Sequence, residues 1–318
     1  MASQKHHALK SLYEFLVEKS PQNFIELTEK LGFSSDELMP LISKLITMGL
    51  DISIKEEKVT LENAIEKIHL TKLSERIQFA RIKKPIIYLF STASTNELAK
   101  KDKTPSIYLC DYQSEGRGRR GKTWITPLGQ SIALSISHKF TCGISGISGL
   151  NIAIGVAIIN TIESLKAVAV GLKWPNDVLG KEGKIAGILI DASGNNTECM
   201  VTIGIGINWN IRQSLFDTVE QDCMNLEIAH VSRTEFIAQL IIQVEKIIKL
   251  FERNQLESIL SKWNKHDVYL GKTINIIQSE TTTKANYRGI NKKGYLQVEV
   301  DGKHKSLASG EVTIRMVD

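Results

Sequence analysis

A chain of 318 residues with 42% hydrophobic content has enough apolar surface for two or three ordinary domains, each with its own core, which excludes a disordered chain. Lys plus Arg total 40 against 35 Asp plus Glu, a formal net charge of +5; this is too mild for a dedicated nucleic-acid binder, so any basic function is local. Cys110, Cys142, Cys199 and Cys223 are scattered, with no C-x-x-C pair and no histidine at ligand spacing, which argues against a structural metal site. The N-terminal residues carry charges throughout without the apolar core of a signal peptide, and the apolar runs fall short of a bilayer span. A cytoplasmic protein with reduced thiols is expected.

In chain order, the first segment reads as helices. Ala8 to Lys19 places Leu9, Leu12, Tyr13, Leu16 and Val17 on one face, and Phe24 to Leu31 is a short helix closed by Gly32. SSDE opens a third helix, with Ser34 as N-cap and Glu37 completing a capping box, that runs toward Gly49. Pro40 should kink it or delay its start. DISIKEEKVTL (Asp51 to Leu61) reads as the two strands of a wing after a helix-turn-helix. The charge runs against DNA contact: between residues 20 and 60, Lys30, Lys44, Lys55 and Lys58 face Glu26, Glu29, Asp36, Glu37, Asp51, Glu56 and Glu57, a net −3, whereas phosphate contact needs cations. A packing or regulatory module and an operator-binding domain stay equally open.

Residues 62 to 85 form a charged, mixed helical stretch ending in Lys83, Lys84 and Pro85, read as a linker, so the first domain is 1–85. IIYLF (Ile86 to Phe90), SIYLCDY (Ser106 to Tyr112), SIALSISHKF (Ser131 to Phe140), KIAGILIDA (Lys184 to Ala192) and CMVTIGIGINW (Cys199 to Trp209) are strand-like. Helical stretches at Asn96 to Lys101, Gly149 to Leu165, Thr234 to Arg253 and Gln255 to Lys265 fall between and after them. The lack of strict alternation favours a mixed or antiparallel sheet over a doubly wound one across 86–268. From Tyr269 to Asp318, short strands such as TINIIQ and YLQVEV with turns at NKKG and DGK indicate a small β-barrel, 269–318.

Between two of the sheet strands lies SEGRGRRGKTW (Ser114 to Trp124). Its glycines Gly116, Gly118 and Gly121 permit close backbone approach. Arg117, Arg119 and Arg120 offer planar forks for phosphate or carboxylate oxygens. Alone, the motif suits an RNA-binding arm, a nucleotide loop or a solvated loop equally. KWPND (Lys173 to Asp177) is a rigid turn, an ordinary hairpin or a site where Asp177 holds Mg²⁺ beside phosphates. Lys184, at the head of KIAGIL, either snorkels at a sheet edge or directs its charge into a cleft. GIGIN (Gly204 to Asn208) ends a strand with glycines that admit a ligand, though a lone G-x-G is weak.

Taken together and in this order, GRGRRGKTW, KWPND, KIAGIL and GIGIN, preceded by Ser94-Thr95-Asn96 and Tyr112-Gln113, resemble the signature of the biotin protein ligases over residues 86–318; the N-terminal helices extend the resemblance to the bifunctional form that is also the biotin operon repressor. It implies an α/β (α+β) chain: an N-terminal winged helix-turn-helix, a central mixed-sheet class II synthetase-like (biotin/lipoate ligase) catalytic domain, and a C-terminal SH3-like β-barrel. It implies activation of biotin by ATP to biotinoyl-5′-AMP, with Mg²⁺, then transfer to a lysine of the apo biotin carboxyl carrier protein of acetyl-CoA carboxylase. The resemblance assigns Lys184 and Arg119 to catalysis, and Ser94, Thr95, Asn96, Gln113, Arg117, Gly118, Arg119 and Lys184 to biotin. ATP and the adenylate fall to Gly116, Arg117, Arg119, Arg120, Trp124, Asn176, Asn208 and Arg315, with Trp124 stacking on adenine, and Mg²⁺ to Asp177.

Lys122 departs from the family pattern, where arginine is usual, so the bidentate fork is lost there. The acidic helix and the wing without glycine depart from the repressor form. Operator DNA and a second copy of the chain are the further partners implied, and CGISGISGL (Cys142 to Leu150) and DASGNN (Asp191 to Asn196) either line a surface for the latter or are plain loops. The competing functions are a lipoate or octanoate ligase on the same fold, whose members lack the arginine loop, and a non-catalytic biotin-sensing regulator.

Overall fold

The computed structural model describes residues 2–166, 169–253, 256–278, 281–310 and 312–317. At the N-terminus, α1 (Ala2–Glu18), β1 (Gln22–Asn23), α2 (Phe24–Leu31), α3 (Ser35–Thr47), β2 (Ile52–Lys55) and β3 (Lys58–Leu61) build a helical module on a small antiparallel sheet ordered β1-β3-β2. Asn23 accepts from the backbone N–H of Ile25 and Glu26 to start α2, and Gly32 ends it at φ 70°. Ser34 and Glu37 form the expected capping box, in which Ser34 N–H donates to the Glu37 carboxylate at 2.9 Å. Pro40 lies inside α3 without kinking or delaying it as anticipated. Leu38, Ile42 and Leu45 are fully buried on its inner face, and their burial outweighs the one bond that exposed Pro40 cannot make. Glu56 and Glu57 adopt φ 48° and 60° and close the β2–β3 hairpin without a glycine.

The segment read as a linker is packed rather than free. Only α4 (Leu70–Phe79) is helical there; its Leu73 and Ile77 enter the core of the following domain, and His69 N–H donates to Thr234 Oγ1 at 3.0 Å. The N-terminal core is itself shared: Leu9, Leu12, Tyr13 and Leu16 pack with Phe90 and Leu128 of the next domain.

That domain contains β4 (Ile86–Thr92), α5 (Thr95–Lys101), β5 (Ile107–Gln113), β6 (Ser131–Phe140), α6 (Leu150–Ser164), β7 (Gly171–Lys173), β8 (Asp177–Leu179), β9 (Lys184–Gly194), β10 (Cys199–Asn208), α7 (Gln213–Phe216), α8 (Arg233–Glu252) and α9 (Leu256–His266). Gln255, the anticipated start of the last helix, lies outside the described residues. The seven-stranded sheet runs β4-β5-β6-β10-β9-β8-β7, and only β4 and β5 are parallel, as the absence of strict alternation predicted. KWPND is the turn of the β7–β8 hairpin. Along β6, β10 and β9 the register is unbroken. Ile132, Leu134, Ile136, Val201, Ile203, Ile205, Ile207, Ala186 and Ile188 fill one face, in a core shared with α6 and α8. The 144–164 stretch is long and apolar enough to cross a membrane, contrary to the estimate from sequence; α6 is nevertheless the central core helix, buried on most sides. The segments around Cys142 and Asn195, considered above as a pairing surface, touch each other: Ile144 N–H donates to Asn195 C=O at 3.3 Å.

The tail holds β11 (Thr273–Gln278), β12 (Thr281–Ile290), β13 (Leu296–Val300), β14 (Lys303–Leu307) and β15 (Thr313–Met316), one antiparallel sheet ordered β14-β13-β12-β11-β15. Two anchors fix it to the larger domain. Buried Trp174 donates its indole N–H to Gly294 C=O at 3.0 Å, and half-buried Asp267 accepts from Tyr287, Trp263 and the Tyr269 backbone. Burial raises the Asp267 pKa, and the bond from Tyr287 works against that.

The ion pair of Arg233 with Asp111 ties three of these layers together. Both side chains are essentially inaccessible, 2.9 Å apart. Arg233 also donates to Ser131 C=O at 2.7 Å and Glu66 C=O at 3.2 Å, and Tyr88 donates to the other Asp111 oxygen. Asp111 and desolvation together push the Tyr13 and Tyr88 phenols far above their ordinary range, with desolvation the larger cause. Arg233→Met would strand a buried carboxylate, which costs about 3–5 kcal/mol. Urea unfolding of the purified variant should show that loss; a change below about 1 kcal/mol would mean that water compensates Asp111.

Candidate active site

The middle of the opposite face of the central sheet is made mostly of small residues. Register sets Gly187, Gly206 and Ala133 side by side across β9, β10 and β6, with Leu189, Gly204 and Ser135 in the next row of the same face. Over this floor lies a cleft of about 490 Å³, lined by Ser94, Thr95, Asn96, Gln113, Arg117, Gly118, Arg119, Trp124, Asn176 and Lys184 among others. These ten were all expected from the sequence. A more open hollow of about 1010 Å³ shares Arg119, Asn176 and Ile188 with it.

At one end, Ser94 caps α5, and its first residues Thr95 and Asn96 enter the cleft. Gln113 Oε1 accepts from the Thr95 N–H at 2.8 Å, while Gln113 Nε2 donates to Thr126 Oγ1 at 2.9 Å. Thr95 Oγ1 and Ser135 Oγ are 2.8 Å apart. Asn96 is 5% exposed, yet neither its Nδ2 nor its Oδ1 has a hydrogen-bond partner. Leaving such groups unmatched costs about 1–3 kcal/mol each, so Asn96 is poised for a ligand with both a donor and an acceptor.

At the other end the charge is positive. Lys184 Nζ lies 2.8 Å from Asp177 Oδ1 without the alignment of a directed hydrogen bond, and 5.4 Å from the Trp124 ring centre. Burial pulls the Lys173 pKa below its ordinary value; Asp177 opposes this, and Lys184, Arg315 and Lys122 add to it. Burial likewise lowers the Arg119 pKa, with Arg120 reinforcing and Asp177 resisting. One carboxylate thus faces several cations, which leaves the region short of negative charge. Lys173 was missed from sequence, although it opens KWPND. No group of three or more His, Cys, Asp or Glu gathers for a metal among the described residues. The single carboxylate of Asp177 suits Mg²⁺ only if phosphates and water supply the remaining oxygens.

SEGRGRRGKTW is a hairpin-like flap. Trp124 N–H donates to Gly116 C=O at 2.9 Å and Gly118 N–H to Lys122 C=O at 2.7 Å, around a single 3₁₀ turn at Arg119–Gly121. Gly116 belongs to this framework rather than to the cleft lining: a Cβ there would meet Trp124 O at 2.2 Å. Trp124 lies flat against the floor, where a Cβ on Gly206 would sit 2.3 Å from the indole. Its Nε1 is buried without a partner. The arginines diverge. Arg117 pairs with Glu97, and Arg119 donates to Asn176 Oδ1 at 3.0 Å and to Ser309 C=O.

Three expected ligand groups stand elsewhere. Arg120 turns from the cleft to the tail sheet, donating to Thr313 Oγ1 at 2.7 Å and Gly310 C=O at 3.0 Å. Asn208 is 2% exposed, and its amide N–H₂ is spent on Lys184 C=O at 2.9 Å and Met224 C=O at 3.2 Å. It braces the strand head that carries Lys184 rather than reaching for a base. Arg315, on β15, lines neither cleft nor hollow and acts on the site through its field at Lys173.

The model of the Biotin/lipoate A/B protein ligase family matches residues 80–208, the segment that holds the flap, the floor and Lys184. The "Bifunctional ligase/repressor BirA" of Escherichia coli (strain K12) is 28% identical over 298 residues, 92% of either chain. The "Biotin--[acetyl-CoA-carboxylase] ligase" of Mycobacterium tuberculosis is 26% identical over 211 residues, 65% of this chain and 77% of that one. In fold, the chain is similar to the biotin protein ligase from Aquifex aeolicus solved in complex with biotin and ATP, with a TM-score of 0.60 and 23% identity over 74% of this chain and 100% of that one. The likeness to a bifunctional relative over 92% of the chain and the family match over flap, floor and lysine lead to one conclusion: residues 80–208 carry a domain of the biotin/lipoate A/B protein ligase family, in a chain similar along most of its length to the bifunctional ligase/repressors.

Proposed function

We propose that the protein is an ATP-dependent biotin protein ligase that forms biotinoyl-5′-AMP and passes the biotinoyl group to a lysine of the biotin carboxyl carrier domain of acetyl-CoA carboxylase. The observation that carries this is the unmatched amide of Asn96 in a small-residue slot, on the same sheet face as a cation cluster holding a single carboxylate. The ureido ring of biotin offers N–H donors and a C=O acceptor, the complement of a free carboxamide. Its carboxylate, directed along the floor, would meet Lys184.

In the first step the biotin carboxylate oxygen attacks the α-phosphorus of ATP and pyrophosphate leaves. Two anions must approach, so the barrier is mainly electrostatic. Lys184, Lys173 and Arg119 supply fixed positive charge where it develops; a single such group contributes about 2.7–4 kcal/mol of transition-state stabilisation. Mg²⁺ arriving with the nucleotide, beside Asp177, would neutralise further phosphate charge. In the second step the acceptor lysine amine attacks the acyl carbon, an amide forms and AMP leaves. The flap excludes water from the mixed anhydride meanwhile. A cytoplasmic setting suits a chain whose four cysteines are all unpaired.

The N-terminal module we assign as a winged helix-turn-helix, with α3 as recognition helix and β2–β3 as wing, and the tail as an SH3-like barrel. The repressor half of the Escherichia coli relative's name favours operator binding as a second function. Few cations serve it, since exposed Asp36, Glu37, Met39 and Ile46 lie on α3. Two copies would pair through the joined 142–150 and 191–196 segments.

Purified protein given ATP, Mg²⁺, biotin and an acceptor domain should yield a streptavidin-reactive product. Lys184→Ala should abolish adenylate formation with an unchanged circular dichroism spectrum; an unchanged rate would sink the role of Lys184. Asn96→Ala should raise the KM for biotin roughly 5- to 100-fold, the equivalent of one or two hydrogen bonds to a buried group, with kcat nearly kept. A fall in kcat alone would place Asn96 outside the biotin slot. In mobility-shift titration with the chain's own biotin-gene promoter, biotin and ATP should give a shift whose salt dependence is shallow, reflecting few phosphate contacts. No shift at low salt removes the repressor function and leaves the ligase.

A further inference from the structure

Arg120 is the residue of the flap that takes a conformation foreign to its type. It sits at φ 55°, ψ 38°, the left-handed region, inside the turn at the flap's tip. A non-glycine residue there is held by its surroundings. The holding contacts are the two bonds of its guanidinium fork, to Thr313 Oγ1 at 2.7 Å and Gly310 C=O at 3.0 Å. Both acceptors are neutral, so the pairing does not neutralise charge. It fixes geometry.

The segment that Arg120 grips does not depend on the flap for its own position. The tail sheet is fastened to the ligase domain by Trp174 on Gly294, by Ser148 Oγ on Lys293 C=O at 2.8 Å, and by the Tyr287–Asp267 bond. Thr313 lies on β15, paired to β11 through Ile277. The sheet is therefore a fixed post, and the flap residues next to Arg120, namely Arg117, Gly118 and Arg119, roof the cleft.

We propose that Arg120 is a positioning residue, a latch that pins the arginine flap to the C-terminal sheet through Thr313 and Gly310 and so sets how long the biotinoyl-adenylate is retained before the acceptor lysine attacks. This rests on the ligase function proposed above. A phosphate ligand at Arg120 needs only charge, which lysine also supplies. A latch needs a planar fork that spans two acceptors, which lysine lacks.

The test uses the full-length protein and separates adenylation, measured as biotin-dependent ATP–pyrophosphate exchange, from leakage of labelled biotinoyl-adenylate without acceptor. Arg120→Ala and Thr313→Val should each speed leakage roughly three- to tenfold, the range for one charge-assisted bond at an exposed site. Arg120→Lys should not rescue retention, Thr313→Ser should keep it, and the Arg120→Ala/Thr313→Val double variant should leak no faster than either single one. Adenylation by Thr313→Val should equal that of the unaltered protein. Normal retention in Thr313→Val, together with a defect in adenylation by Arg120→Ala that Arg120→Lys restores, would overturn the latch and make Arg120 a phosphate ligand. An unaltered protein that forms no adenylate at all would overturn the ligase function instead.

Discussion

The site depends on the register of three strands. Because side chains alternate along a strand, the pairing of β6, β10 and β9 sends the aliphatic residues of IALSI and VTIGIGI, with Ala186 and Ile188 of β9, to the helix layer and leaves Ala133, Ser135, Gly187, Gly204 and Gly206 on the other face beside Leu189. A slip of one residue would turn isoleucines into the cleft and bury glycines against α6. The apolar face fixes the register through burial, and the register leaves Gly187, Gly204, Gly206, Ala133 and Ser135 as a floor low enough for Trp124 and a flat ligand. Core packing and site shape are two sides of the same ladder.

Two further constraints act at the margins of that sheet. Arg233 and Asp111, buried together, join α8, β5, the 131 carbonyl and the 66 carbonyl, so the segment between the first two domains is part of the ligase core and not a tether. Arg212 adds an ion pair to Asp51 at 3.3 Å, and Gln130 donates to Gly49 C=O at 2.7 Å. On the far side, Trp174 and Asp267 fasten the tail sheet. The flap is tied by backbone bonds to the end of β4 at Thr92 and Ala93 and across its own base, and its tip is positioned by side chains on both sides.

The chemistry follows from where charge is missing. Lys173, Lys184, Arg119 and Arg315 act on one region in which Asp177 is the carboxylate at hand. The cost of holding those cations close is met when an anionic ligand binds. At the opposite end Asn96 is left unmatched in the same sense, with hydrogen bonds in place of charge. A ligand with a polar ring, an apolar stem and an anionic end satisfies both.

The sequence by itself determined the elements and the family of the site. Alternation in KIAGIL and GIGIN, the capping signal at Ser34, and the spacing of the arginine loop, KWPND and Lys184 are local properties that need no partner to be recognised. Only the tertiary structure decided which way the polar groups point. Arg119 and Arg120 are adjacent and chemically identical, yet one lines the cleft and the other grips Thr313, because a left-handed turn separates their directions. Asn208 belongs to the right motif but spends its amide on the backbone of Lys184, a contact set by strand packing 24 residues away. Lys173 enters the cation field only once the β7–β8 hairpin brings it beside Asp177. Local pattern specifies conformation, whereas the partner of a long polar side chain is set by residues far away in sequence, and no periodicity encodes them.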